Sequence, residues 1–367
     1  MAFRTPTGRP STGLRAGPST PLRAGGLILG LLAIAGAVGW TGCDAVARVQ
    51  IRPACNAPGA AIRWIRVAAE NETPRLDRWC SGVGPPLIMA SPPRFPSPSE
   101  LPTIVSWNTH EGGGNIDTLV GDLTSGRLTG HPVSAFVLLL QEVYRSSPDV
   151  PARRDGAFDW AAAERSLGLD GTRDDIAATA RRLGLAAYYV PSMRNGAPGV
   201  TTEDRGNAIL STLPLSDLAA IELPLERQRR VALEATISVS RPGRAPLPLR
   251  LVCTHFTNMV MHHLWVLSES GRFRQAHALG EALPSEGPII VGGDFNAWFG
   301  FHDAAYRELA RRVPPAANVD RRATFGPMRL DHILLRLPDG WRASVRRGDS
   351  RYGSDHYPLV ATIDAPH

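Results

Sequence analysis

From residue 103 onward the chain alternates short apolar runs with polar breaks, at lengths that suit strands rather than helices. Runs at 103–107, 135–140, 187–190, 208–213, 231–239, 247–253, 288–291, 332–335 and 359–363 predict strands. Three stretches place apolar residues at helical spacing instead and predict helices over 115–124, 173–183 and 269–283. In the last of these, Phe273, Ala276, Ala278, Leu279 and Leu283 recur along one side. Many short strands, some joined by hairpin-length turns, with few helices predict an α/β protein: a two-sheet sandwich flanked by helices. The chain shows no internal repeat.

The pattern differs before residue 103. Residues 1–23 carry Arg4, Arg9, Arg15 and Arg23 and no acid, and an uncharged stretch follows from Ala24 to Cys43. At about 1.5 Å per residue, some twenty residues just cross a hydrocarbon core. The expectation for 1–43 is therefore a basic cytoplasmic leader and a membrane anchor or signal segment, with the rest of the chain exported. Trp40-Thr41-Gly42-Cys43 also has the form of a lipobox, which would make Cys43 a lipid-bearing terminus. Residues 44–84 are expected as a small appended module and 85–102, with seven prolines, as a semi-rigid linker to a catalytic domain at 103–367. Cys55 and Cys80 can pair if that module is exported, whereas Cys253 lies in an apolar run and suits a buried site. No Cys/His spacing matches a zinc site.

Charge changes this picture in one respect. All 40 basic residues are arginine. Residues 1–100 hold 11 of them against 5 acids, leaving 29 against 29 for residues 101–367. The basic pI of 9.6 is thus a property of the N-terminal third. A nucleic-acid binder usually carries its excess on the binding domain, so net charge gives no support to that class.

Polar clusters recur where the predicted strands end. In order they are Ser106-Trp107-Asn108-Thr109-His110, Gln141-Glu142, Asp204-Arg205-Gly206-Asn207, Thr254-His255, Gly292-Gly293-Asp294-Phe295-Asn296, Arg329-Leu330-Asp331-His332 and Ser354-Asp355-His356. Asp, Asn and His are the groups that metal-assisted attack on a phosphate ester needs: oxygen ligands, amide donors and a base titrating near neutrality. Taken together and in this order, the clusters resemble those of the endonuclease/exonuclease/phosphatase superfamily, the DNase I-like fold, over roughly residues 101–365. The resemblance implies a four-layered α/β sandwich of two mainly antiparallel sheets flanked by helices. It also implies a divalent metal, Mg²⁺ with Mn²⁺ as the alternative, and hydrolysis of a phosphate ester.

The resemblance carries roles to individual residues. Glu142 matches a metal-ligating acid, with Asn108 helping to position metal and phosphate and Asp355 as a second metal-facing acid. Asp294 would orient or deprotonate the attacking water, and Asn296 would donate to a phosphate oxygen. His356 would contact the scissile phosphate or act as base, with Asp331 hydrogen-bonded to it. His255 would aid the leaving group or stabilise the phosphate, and Asn207 and Arg205 would line the substrate site. His110 and the glycines after it read as a loop rather than as ligands. Substrates compatible with this set are nucleic acid and a phospholipid or phosphoinositide head group, acted on by a monomer tethered at the membrane. The competing expectation is a non-catalytic membrane-tethered binding protein that keeps the fold.

Overall fold

The computed structural model describes residues 50–51, 61–67, 69–90, 101–151, 173–195, 202–226, 228–241, 243–258 and 270–366. The expected leader and anchor at 1–43, Cys55 and residues 91–100 of the Pro-rich stretch lie outside the described residues. In chain order the N-terminal elements are β1 (Gln50–Ile51), β2 (Arg63–Arg66), α1 (Thr73–Ser81), β3 (Leu87–Met89), β4 (Thr103–Asn108) and α2 (Ile116–Thr124). Next come β5 (Phe136–Ser146), α3 (Ile176–Leu183), β6 (Ala186–Asn195), β7 (Glu203–Ser211), β8 (Ser216–Glu222), β9 (Val231–Arg241) and β10 (Arg244–His255). The chain closes with α4 (Ser270–Ala282), β11 (Ile289–Asp294), α5 (Ala304–Arg312), β12 (Asn318–Val319), β13 (Asp331–Arg336), β14 (Arg342–Arg347) and β15 (Leu359–Asp364).

Two sheets result, ordered β1-β2-β8-β9-β10-β11-β13 and β12-β14-β15-β4-β5-β7-β6-β3. Strand alternation sets the layers, because successive side chains point to opposite faces. On β10, Leu249, Leu251 and Cys253 join the core between the sheets, and Val252 joins the outer core under α4 and α5. On β5, Val137 and Leu139 face inward while Phe136, Leu138 and Leu140 pack under α2 and α3. The three interfaces between helix, sheet, sheet and helix layers are therefore each sealed by their own apolar cluster, and the fold is the four-layered α/β sandwich expected. Most neighbouring strands are antiparallel, but β2–β8, β4–β5, β10–β11 and β12–β14 are parallel. The β10–β11 connection carries α4, as a parallel crossover requires.

The residues expected as a module and a linker supply strands to both sheets. β2 pairs with β8, β3 pairs with β6, and both belong to one compact unit, Ala45–His367. A buried charge cluster secures the first of these joins. Glu222 accepts from Arg66 (3.2 Å), Arg229 (2.5 Å) and Trp64 Nε1 (3.4 Å). Helix α1 buries Leu76 and Trp79 against Met193 and Leu225, and Cys80 at its end is disulfide-bonded. Among the described residues no helix is long and apolar enough to cross a membrane.

Candidate active site

The parallel pairs β4–β5 and β10–β11 place their C-terminal ends together, and the site residues stand there. Register puts Asn108 beside Gln141 across β4–β5, His255 beside Asp294 across β10–β11, and Asp294 beside Asp331 across β11–β13. Gly293 makes the middle pairing possible: a Cβ on it would lie 1.9 Å from the carbonyl oxygen of Thr254. Glu142 is delivered by a bulge. Gln141 and Glu142 together oppose the single Asn207 of β7, and Glu142 takes a positive φ of 54°. That turn removes Glu142 from the strand's alternation and leaves it half-buried at a cleft while Gln141 stays buried, donating to the Leu139 carbonyl.

His356 arrives from the loop before β15. Ser354 Oγ donates to the Asn108 carbonyl (2.7 Å) and accepts from the His356 amide (3.0 Å), while Trp107 Nε1 donates to the His356 carbonyl (3.0 Å). The loop is thereby tied to the end of β4. Behind the ring, Nδ1 meets Asp331 Oδ2 at 2.8 Å, and Phe325 packs against it with centroids 4.9 Å apart. In front, Nε2 lies 3.8 Å from Asp294 and 3.9 Å from Asp355. Burial alone would strip the proton from His356, but Asp331 and Asp294 hold it on and raise its pKa to about 10.

Asp294 is held on both oxygens: Oδ1 accepts from the Asn296 amide (2.8 Å) and Oδ2 from Asn108 Nδ2 (3.0 Å). Burial and then the charge of Asp331 push its pKa up to about 6. The Asn296 backbone turns left-handed (φ 49°), a conformation asparagine tolerates, and its side-chain amide donates to the Phe256 carbonyl. Asn108 also accepts from the His110 amide through Oδ1 (2.9 Å). The structure thus brings Asn108, Glu142, His255, Asp294, Asn296, Asp331, Asp355 and His356 into one site. Asn207 and Arg205 stand beside it, lining a cleft shared with Glu142 and His255. Both lie within β7, which begins at Glu203, five residues ahead of the strand expected from residue 208. The Arg205 guanidinium is paired with Glu111, and the Asn207 amide donates to the Val231 carbonyl.

The oxygen donors fit a hard divalent cation. Glu142 makes no side-chain hydrogen bond among the described residues, and burial together with Asp294 and Asp355 raises its pKa to about 7. A carboxylate left uncomfortable in this way is what a bound cation relieves. The tighter trio of Asp294, Asp331 and His356 also has ligating atoms within 4.8 Å of one another, but Asp331 already bonds His356, and the oxygens of Asp294 are taken by Asn296 and Asn108. That trio suits proton handling better than metal binding.

The sequence reading missed two participants. Arg230 lines the cleft and donates to His255 Nδ1 at 3.1 Å. Its one trace in the sequence is the Gln228-Arg229-Arg230 run at the mouth of a strongly apolar strand, where alternation sends one arginine to each side without marking which of them meets the site. His110, expected as a loop residue only, lies 3.8 Å from Asp355.

Among solved structures the chain is similar to an endonuclease/exonuclease/phosphatase from Beutenbergia cavernae, at 15% identity and a TM-score of 0.49, covering 72% of this chain and 71% of that one. It is similar also to sphingomyelinase C from Streptomyces griseocarneus (17%, TM-score 0.40, 71% and 98%) and to a humanized D. rerio TDP2 (15%, TM-score 0.44, 72% and 99%). A search of curated protein sequences gives no match. The Endonuclease/Exonuclease/phosphatase family model matches residues 105–356, a span that takes in every cluster assembled at the strand ends, and the chain belongs to that family.

Proposed function

We propose that the protein is a metal-dependent phosphoesterase that cleaves a phosphate ester by in-line attack of an activated water. The observation that carries this is the facing of Asp294 and the Asp331-backed His356 at one end of the site, with the unsatisfied carboxylate of Glu142 near them. Glu142 and Asp355 would hold the ion, Mg²⁺ or Mn²⁺, with Asn108 beside them. When bound, it supplies positive charge that polarises the phosphate and stabilises the departing oxygen.

The chain's own groups divide the remaining work. Asp294, with its pKa near neutrality and its oxygens fixed by Asn108 and Asn296, takes the proton of the attacking water. His356 stays protonated through the neutral range and offers Nε2–H to a non-bridging phosphate oxygen, countering charge that would repel the nucleophile. His255 and the cleft residues Asn207 and Arg205 bound the substrate on the opposite side.

Nucleic acid and phospholipid head groups are both retained as substrate classes, and the assay separates them. Export and membrane tethering are part of the proposal, supported by the acid-free arginine leader, the uncharged stretch after it and the disulfide at Cys80. The test assays the full chain with magnesium against DNA, RNA, sphingomyelin, phosphoinositides and a chromogenic phosphodiester, alongside His356→Ala and Asp294→Ala. Magnesium-dependent turnover of at least one substrate, reduced about 10²-fold or more in both variants, is expected. Absence of turnover on all of them, or full activity in both variants, sinks the reading.

A further inference from the structure

The geometry points to opposite backing of the two site histidines: Arg230 is a positioning residue that holds His255 in the tautomer with its proton on Nε2, so that His255 acts as a hydrogen-bond donor and never as the base. A guanidinium carries only donors, with no lone pair to accept. The 3.1 Å contact between Arg230 NH1 and His255 Nδ1 therefore requires Nδ1 to be the acceptor, and the ring proton sits on Nε2. Nε2 in turn faces acceptors, Asp294 Oδ2 at 3.5 Å and Glu142 Oε1 at 3.8 Å. Both partners are buried, His255 to 3% and Arg230 to 5% exposure, so water does not substitute for the contact.

His356 is wired the other way. Its Nδ1 meets a carboxylate, Asp331, which has only lone pairs when ionised, so the Nδ1 proton is fixed and Nε2 is the exchangeable position. The two rings present Nε2 to the same oxygen of Asp294, one backed by a cation and the other by an anion. Arg230 itself is aimed from two sides. Its NH2 donates to Gln228 (3.2 Å), and the preceding Arg229 is locked to Glu222 on the opposite side of the strand entry. In a phosphoesterase, a fixed neutral N–H at this place serves a charged oxygen that develops during the reaction.

The kinetic part of this assignment rests on the proposed activity, and the spectroscopic part does not. The full chain, labelled with ¹⁵N-histidine and assigned with a His255→Ala variant, is examined at neutral pH with and without magnesium. His255 is expected to show an unprotonated Nδ1 and a protonated Nε2. In Arg230→Met that signature is expected to give way to a tautomer mixture while the His356 signals stay in place. Turnover of the assay substrate should fall about 10²-fold in kcat, with KM within about twofold, and Arg230→Lys should recover part of the loss. A proton on Nδ1 in the wild type overturns the assignment, as does an Arg230→Met variant that keeps both tautomer and kcat. Should Arg230→Met fail to fold, the wild-type spectrum and Arg230→Lys decide the matter. A wild type without turnover refutes the activity but leaves the spectrum to settle the tautomer.

Discussion

Asp331 accepts the Nδ1 proton of His356 at 2.8 Å, and the two residues come from different sheets, one starting β13 and the other entering β15. Asp331 is the strongest of the influences that raise His356, acting through charge and hydrogen bond together against the pull of burial. Catalysis that needs deprotonated Asp294 and protonated His356 gives a bell-shaped pH profile. Its acid limb lies at or below about 6, since a bound cation favours the carboxylate, and its alkaline limb lies near 10. Asp331→Asn keeps the shape and removes the charge, so the His356 pKa falls and the alkaline limb moves toward neutrality. The pH dependence of kcat/KM checks this. An unmoved alkaline limb in Asp331→Asn would falsify the pairing's role.

Glu142 carries a different trade-off. Its pKa is raised from 4.5 to about 7, so the folded state binds its proton more tightly than the unfolded chain does. Stability from this group is full while the carboxyl is protonated and is lost as pH rises from about 4.5 through about 7. Glu142→Gln removes that loss. The metal-free variant should melt higher than wild type at pH 8, by on the order of 2 kcal/mol once the part of the side chain that reaches water is allowed for. The same variant should lose activity and the rise in melting temperature that magnesium gives wild type. Melting curves at pH 5 and pH 8, with and without magnesium, separate these effects. A lower Tm for Glu142→Gln at pH 8 would contradict the account of a strained carboxylate.

The N-terminal strands are needed for the fold, because the sheets they extend hold the cleft wall. Trp64, Ile65, Val67, Leu76, Trp79 and Val83 are all buried. At roughly 1.5–3 kcal/mol for each large apolar side chain, removing them rivals the whole stability of a typical domain, about 5–15 kcal/mol. Truncation also deprives Glu222 of Arg66 and Trp64, and Asp204 of the Gly84 amide that it accepts at 2.9 Å. A chain beginning at residue 101 is expected to be insoluble or to melt without cooperativity. Thermal unfolding of that fragment beside the full chain tests this, and a cooperative transition within a few degrees of the full chain would refute it.

Much of this was legible from residue pattern because it rests on period and order. Apolar alternation located the strands ending at Asn108, His255 and Asp294, and the strand-end polar residues marked the site. Other elements escaped for physical reasons. β14 reads Arg-Ala-Ser-Val-Arg-Arg, with a single fully buried side chain, so the apolar signal is faint. β8 buries two alanines and a glutamate beside Leu218 and Ile221, and α5 spans nine residues of which four are arginine or glutamate. β2 and β3 were hidden because strands of four and three residues, the second of them at a sheet edge, take their stability from neighbours far along the chain. Arg230 was beyond reach for another reason: an arginine's partner is a tertiary fact, and nothing in Gln-Arg-Arg says which guanidinium turns to a histidine.

Gly293 offers the sharpest test of how the sheet builds the site. The parallel pairing of β10 and β11 sets His255 against Asp294, and the two strands approach so closely that a Cβ at 293 would stand 1.9 Å from the Thr254 carbonyl oxygen. No rotamer relieves that clash, because both atoms belong to the backbone frame. Gly293→Ala must push β10 away and carry His255 off Asp294. It is expected to lower stability by about 1–3 kcal/mol and to lower kcat by about 10²-fold, since misplacement on the scale of 1 Å has that cost. Gly121 is the control: it lies within α2, and nothing stands within 4 Å of a Cβ built there. Gly121→Ala should stabilise the protein by about 0.5–1 kcal/mol through helix propensity and leave kcat unchanged. Melting temperatures and steady-state kinetics on the pair decide the matter. If Gly293→Ala matches wild type in both, the close approach of β10 and β11 is not what aligns the two residues.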